Sequence, residues 1–203
     1  MPGTTLLSDI HITLHTRVAV RLWQARHGGM LLCLALLKRL LRAEQRDDPW
    51  ASHWLEQLSI RLNLMAHLLK QKNNQLDNHF NTLPAAIGTT LLCNPTPSEY
   101  ILPLALLSPP GSRLLHHLVD YDLLVRRTLL AWQLGLISQA EKRDVVATLP
   151  RLLLQLYSFV NRFRTTGVIR ADVRDNTPLA QATTRKLGQL PKRILAEIHR
   201  DAQ

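Results

Sequence analysis

The chain contains 203 residues, of which 46% are hydrophobic and 20% are charged. This composition is typical of a globular protein and excludes an intrinsically disordered chain. The formal net charge of +10 is concentrated at the two ends of the sequence and predicts a polyanionic partner, for which DNA, RNA and an anionic membrane all qualify. The longest apolar run, Met30 to Leu37, is shorter than the roughly 18 residues of a membrane span, so we expect a soluble cytoplasmic protein with no membrane segment.

Apolar and polar side chains alternate between residues 10 and 15, the period of two that is typical of a β-strand. The apolar members are Ile10, Ile12 and Leu14, and the polar members are His11, Thr13 and His15. An isolated strand is not stable, and no partner strand lies nearby in the sequence, so we expect it to pair with its copy in a second chain. Such a two-stranded ribbon fits the DNA major groove. The alternative is a strand inside an ordinary α+β core.

Two helical segments follow the predicted strand. In the first, from Thr16 to Arg26, apolar residues form one face and Arg17 and Arg21 fall on the other. Gly28 and Gly29 separate it from a second segment that begins with the Met30–Leu37 run. This run is apolar nearly all round, which suits a helix buried between subunits. Strand, helix, tight turn and helix together predict a ribbon-helix-helix-like unit for DNA binding and dimerisation over residues 1–46.

This unit contains candidates for two kinds of DNA contact. Imidazole and hydroxyl groups can donate to or accept from base edges, so we expect His11, Thr13 and His15 to read bases. Guanidinium groups and the free backbone N–H groups of a helix start bind phosphates, and these candidates are Arg17, Arg21, Arg26, Gly28 and Gly29. The alternatives are a solvent-facing strand edge for the first set and a solvated helix face for the arginines.

Residues 47–203 predict a helical body. A helix begins at Asp48-Pro49 and ends near Lys72, a mixed loop occupies residues 73–99, and residues 100–107 form a strand or extended segment. Later helices begin near Arg113, at Ser138 with a capping box to Glu141, and at Thr177. The predicted fold class is therefore mainly α, with one or two short strands at most.

A basic cluster near the end of the chain is a possible second phosphate-binding surface, with a solvated helix face as the alternative. Its members are Arg185, Lys186, Lys192, Arg193 and Arg200. Asp120 and Asp122 could perform acid–base catalysis, but Asp122 precedes Arg126 by four residues, the spacing of an ordinary helical ion pair. The histidines and cysteines match no zinc pattern, and no phosphate loop or nucleophile motif is present, so we expect no enzyme, metal or cofactor.

Several motifs in a fixed order resemble one family. They are ITLHTRVAVRLW at 12–23, DDPWASHW at 47–54, LVDYDLLV at 118–125 with GLI at 135–137, TGVIRAD at 166–172 and LGQLP at 187–191. This set is similar to the integrating conjugative element proteins that are grouped with AcaB-like regulators. The resemblance spans nearly the whole chain and implies a ribbon-helix-helix transcriptional regulator that activates conjugation genes.

The sequence therefore predicts a dimeric regulator of conjugative transfer genes, with double-stranded DNA and a second copy of the chain as partners and no small-molecule substrate. The alternative is a non-enzymatic structural or accessory protein of the conjugation machinery, which would act through its long helical body.

Overall fold

The computed structural model describes residues 9–25, 28–84 and 97–200. Two strands are β1 (Asp9–Leu14) and β2 (Ser98–Pro103). The helices are α1 (Arg17–Gln24), α2 (Met30–Gln45), α3 (Pro49–Phe80), α4 (Pro109–Gln133), α5 (Gln139–Arg143), α6 (Leu149–Asn161), α7 (Arg170–Arg174), α8 (Pro178–Leu187) and α9 (Lys192–Arg200). A 3-10 turn covers Leu104–Leu106 and a π-helical segment covers Asp144–Thr148. The predicted mainly α fold with a short strand pair is confirmed.

The first strand has its partner in the same chain. β1 and β2 pair antiparallel, with Ile12 opposite Tyr100 and Leu14 opposite Ser98. Ile12, Leu14 and Leu102 are buried against the helices, so the pairing removes apolar surface from water while it satisfies backbone groups. The expectation that β1 needs a second chain to find any partner was wrong, because residues 98–103 return beside it.

The helix α2 lies in the core of the chain and packs chiefly on α3 and α6. Its buried residues are Met30, Cys33, Leu34, Leu37, Leu40 and Ala43. The apolar run that suggested burial between subunits is therefore buried by helices of the same chain, although Leu31 and Leu32 remain nearly half exposed. Two of the sequence arguments for a dimer thus have an explanation within one chain.

The helix α3 extends past its predicted end near Lys72. Two asparagines at 73 and 74 cost a helix only a few tenths of a kcal/mol each relative to the best helix formers. Leu76 is buried in the following turn, and the guanidinium of Arg127 on α4 donates to Asn73 Oδ1 (2.9 Å) and to Asp77. These contacts offset the weak propensity and extend α3 to Phe80. The remainder of the predicted 73–99 loop, at 85–96, lies outside the described residues.

The later elements begin at capped positions. Ser108 accepts from the N–H of Gly111, with Pro109 in the first turn, so α4 begins earlier than the predicted Arg113. The capping box of Ser138 and Glu141 is present at the start of α5. The π-helical segment precedes Pro150, whose missing N–H cannot continue the regular hydrogen-bond ladder.

One hydrophobic core extends from Ile12 to Phe163 and crosses the predicted boundary at residue 46. A smaller cluster joins the C-terminal helices to the start of α3. It consists of Trp50, Val168, Ala180, Leu190, Ile194 and Ile198. The division into units at 1–46 and 47–203 stays a prediction, although hydrophobic packing connects the two parts. None of the helices in the described ranges combines the length and the apolarity needed to cross a bilayer.

Candidate nucleic-acid interface

The outward face of β1 carries His11 and Thr13. Both side chains are exposed, whereas Ile12 and Leu14 between and beyond them are 4% and 1% exposed. The period of two therefore sorts this strand into a core face and a solvent face. The predicted alternation is present, and it brings two of the three predicted base-reading residues onto one surface.

The second strand adds side chains to the same face. Thr13 pairs with Glu99 and His11 pairs with Ile101, which is 63% exposed. A glutamate can accept from the amino group of cytosine, and an aliphatic side chain can contact the methyl group of thymine. The sequence analysis missed Glu99 and Ile101, because the sequence SEYILP at 98–103 does not alternate between polar and apolar residues and only its burial in the structure does.

His15 lies beyond the end of β1 and is partly buried. Its backbone N–H donates to Asp122 Oδ2 on α4, at 2.9 Å. The structure therefore places His15 at the bend between β1 and α1, apart from the outward face that His11 and Thr13 share.

Asp122 holds the junction between β1 and α1. Its other carboxylate oxygen accepts from the backbone N–H of Thr16 (2.8 Å) and from Thr16 Oγ1 (2.6 Å). Thr16 is the N-cap of α1, and its Oγ1 in turn accepts from the N–H of Ala19 at 3.2 Å. Since a carboxylate at a helix N-terminus also interacts favourably with the helix dipole, the 3%-exposed Asp122 sets how α1 leaves the strand. Sequence reasoning missed this role, because the partners lie 106 and 107 residues apart.

The guanidinium groups of Arg17 and Arg21 point to solvent from α1. The opposite face of α1 is buried through Ala19, Leu22 and Trp23. Within the described parts of the chain, neither arginine has a hydrogen-bond or ion-pair partner. No described residue therefore neutralises their positive charges.

The two glycines shape the turn between α1 and α2. Gly28 adopts φ +154°, and a Cβ on Gly29 would lie 2.7 Å from the carbonyl oxygen of Trp23. Gly29 is also the N-cap of α2 and makes no side-chain cap, so backbone N–H groups at the start of α2 have no capping side chain. The turn therefore requires glycine for steric reasons, whether or not a phosphate binds there. Arg26, the third predicted phosphate-binding arginine, lies outside the described residues.

The sheet and α1 form one unit through aromatic contacts. The rings of Trp23 and Tyr100 lie 4.9 Å apart, and Gln24 Nε2 donates to the hydroxyl of Tyr100 at 3.1 Å. The outward strand face and the α1 arginines are thus held in a fixed relation by Asp122 at one end of α1 and by Tyr100 at the other.

The family comparison decides the class of protein. The sequence model described as "Transcriptional regulator AcaB" matches residues 2–202. The chain belongs to the AcaB family of transcriptional regulators. The predicted resemblance is therefore confirmed, and the family assigns the chain a role in transcription regulation.

A solved structure is similar to the chain over nearly its whole length. It is the crystal structure of selenomethionine-containing AcaB from uropathogenic E. coli, which aligns with a TM-score of 0.62 and 13% sequence identity. The alignment covers 96% of this chain and 98% of that chain. At this identity the likeness shows a shared fold. No curated protein matches the sequence.

The predicted C-terminal basic surface lies on α8 and α9, which the smaller cluster packs onto Trp50. Arg185, Lys186, Lys192 and Arg193 are exposed or partly exposed. Arg193 donates to Glu56 at 2.6 Å and lies 3.9 Å from Glu197, so carboxylates neutralise its charge. Arg193 therefore differs from Arg17 and Arg21, whereas Arg185, Lys186 and Lys192 likewise have no hydrogen-bond or ion-pair partner among the described residues. In the described ranges, no three His, Cys, Asp or Glu side chains are grouped to hold a metal ion.

Proposed function

We propose that the chain is a dimeric DNA-binding regulator that reads the major groove with the outward face of its β1–β2 sheet. The observation that carries the proposal is the exposed pair His11 and Thr13 on β1, which α1 follows directly with the exposed guanidinium groups of Arg17 and Arg21, neither of which has a partner among the described residues. Groups that can read bases and groups that can neutralise phosphates thus lie on two adjoining elements, and a DNA interface requires both kinds.

The charge pattern of this face favours contact with bases rather than with the backbone. Asp9 and Glu99 are exposed on the sheet, and carboxylates repel phosphates. Glu99 can instead accept from cytosine at the groove floor, while Arg17 and Arg21 on α1 hold the phosphates at its edge. His15, whose backbone is bonded to Asp122, contributes to this interface by positioning or by a contact at its margin.

The free edge of β1 supports the dimer. β2 pairs with β1 along one edge, and no strand of the described residues pairs with the other. Antiparallel pairing of two β1 strands would give a four-stranded sheet and would double the set of base-reading groups. A two-stranded sheet alone is only marginally stable, and an unpaired edge is a template for a further strand.

We infer the target genes from the resemblance to regulators of integrating conjugative elements. This resemblance implies that the protein activates the genes of conjugative transfer.

Selection of binding sites from a random-sequence DNA pool tests the proposal. We expect one enriched sequence with two-fold symmetry, because a symmetric dimer reads two half-sites. Binding to that site should weaken with salt, and a dimer that uses Arg17 and Arg21 twice contributes about −3.6 to the slope of log K against log salt. A pool that yields no enriched sequence would favour the accessory-protein alternative. Sedimentation at about 10 μM protein tests the dimer separately. A monomer at this concentration would contradict the proposed dimer but not the proposed DNA binding.

A further inference from the structure

A concave site of about 340 Å³ lies between α3 and α4, and no residue of β1 or β2 lines it. Its polar lining consists of Lys70, Asn73, Arg113, His116, His117 and Asp120. The volume is near the lower end of the range for small-molecule sites. None of the residues that we assign to DNA lines it.

The walls of this cavity are held by hydrogen bonds within the chain. Arg113 Nη2 donates to Asn63 Oδ1 at 2.5 Å, and His117 Nε2 donates to the carbonyl oxygen of Leu62 at 3.1 Å. Both contacts join α4 to α3, so the cavity forms where the two helices meet. A site that is formed before a ligand arrives loses less conformational entropy on binding.

The charge of the lining is positive. Lys70 has no hydrogen-bond or ion-pair partner in the described part of the chain, and Arg113 is bonded to a neutral amide. Asp120 is the one carboxylate among the lining residues. Burial lowers the pKa of His117 below its usual range, so this ring is neutral near pH 7 and adds no charge. The lining thus contains two permanent cations, Lys70 and Arg113, and a single carboxylate, Asp120.

We infer that this cavity binds a small anion, a phosphate monoester with a compact polar body. Arg113 offers a planar fork of donors that suits phosphate, and Lys70 supplies a second charge at the rim. The space beyond one phosphate group accommodates a body of a few carbon atoms. The same helix carries Asp122 two residues after Asp120, so a bound anion would contact the helix that positions α1.

Isothermal calorimetry on the full chain with glycerol 3-phosphate tests the inference, with glycerol as the uncharged control. We expect saturable heat from glycerol 3-phosphate at low ionic strength and none from glycerol. Arg113→Gln should weaken binding about tenfold and Lys70→Gln several-fold, because each removes a charge-assisted contact. Arg151→Gln is the matched control, since Arg151 is exposed on α6 and does not line the cavity. It changes the net charge equally and should bind as the unaltered chain does.

Thermal melting shows whether each variant is folded, and Arg113→Lys provides a second variant that keeps the charge. It should retain part of the affinity that Arg113→Gln loses. Absence of binding at about 10 mM ligand, equal heat from glycerol, or an equal loss in Arg151→Gln would overturn the inference. A further contrary outcome has two parts: no binding of glycerol 3-phosphate, and a weaker salt dependence of DNA binding in Lys70→Gln and Arg113→Gln. That outcome would also overturn the inference and would assign these two cations to the DNA surface. Because calorimetry uses no DNA, its result is independent of the proposed function.

Discussion

Two exposed basic regions of this chain differ in what surrounds their charges. On α1, which follows β1 directly, Arg17 and Arg21 have no partner among the described residues. On α9, Arg193 is engaged by Glu56 and Glu197. Both regions are basic runs in the sequence, but carboxylates engage Arg193, whereas Arg185, Lys186 and Lys192 resemble the α1 arginines in having no partner among the described residues. The difference shows that the acidic neighbours brought by the fold decide which cations of a basic run stay free to bind a polyanion.

Two buried carboxylates, Asp122 and Asp48, each bond to a segment that is distant in the sequence. Asp122 receives the backbone of His15 and Thr16 at the start of α1. Asp48 caps α3 through Trp50 and Ala51 and also accepts from the N–H and hydroxyl of Thr166, at 3.2 and 2.8 Å. Each buried carboxylate thus connects distant segments of the chain, but only Asp122 connects to the proposed DNA surface.

The largest expected effects are those of substitutions at Asp122 and Asp48, which should reduce stability alike but differ in their effect on DNA binding. Asp122→Ala and Asp48→Ala should each destabilise the fold by about 2–4 kcal/mol, because buried backbone donors lose their acceptor. Urea unfolding followed by tryptophan fluorescence measures the loss. Asp122→Ala should also weaken specific DNA binding, whereas Asp48→Ala should leave it unchanged in conditions where both variants are folded. Equal losses of sequence preference in the two variants would contradict the assignment of the N-terminal surface. Asp122→Asn, which keeps an acceptor oxygen, should recover part of the stability.

The second prediction concerns sequence reading by the outward strand face. Thr13→Ala should weaken specific binding by roughly 1–3 kcal/mol for each base that Thr13 reads, and a dimer carries this residue twice. Binding to unrelated DNA should change little, since that free energy comes from phosphates. The fold should persist because Thr13 is exposed. Fluorescence anisotropy with selected and scrambled duplexes measures both affinities, and His11→Ala should behave in the same way. A double variant that stays folded and keeps full preference would remove the sheet from the role of reader.

The third prediction compares the cations of the two regions directly. Arg17→Ala or Arg21→Ala should reduce the magnitude of the salt slope by about 0.9 for each phosphate that the arginine neutralises, and should weaken binding to all sequences alike. Arg185→Ala and Lys186→Ala are the matched controls on α8 and should leave the slope unaltered. A salt titration of DNA affinity provides the measurement. If the α8 variants change the slope and the α1 variants do not, the C-terminal helices are the phosphate-binding surface.

The smallest effect is expected at Arg193. Its ion pair with Glu56 is exposed, with 65% of the arginine side chain accessible, so Arg193→Ala should cost about 0–1 kcal/mol of stability. DNA affinity and its salt dependence should be unaffected. A clear loss of DNA affinity in this variant would mean that Arg193 leaves its carboxylate partners for a phosphate, and the contrast between the two regions would no longer hold.

Local features of this protein were readable from the sequence. The alternation at residues 10–14 predicted β1 and its two faces, Gly28 and Gly29 predicted the turn before α2, and Ser138 predicted a capped helix start. Each depends on side chains within a few residues of one another, so strand period, turn sterics and capping determine it. The ordered motifs over nearly the whole chain likewise identified the family.

Only the tertiary structure decided which distant segments meet. It placed β2 beside β1, brought Glu99 and Ile101 onto the outward face, and set the Asp122 carboxylate at the start of α1. It also buried α2 among helices of its own chain and paired Arg193 with Glu56. Such contacts join residues far apart in the sequence, and a local period of two or 3.6 residues predicts which face is apolar but not which segment covers it. The same limit hid the cavity between α3 and α4, because its basic lining comes from two helices that become neighbours only on folding.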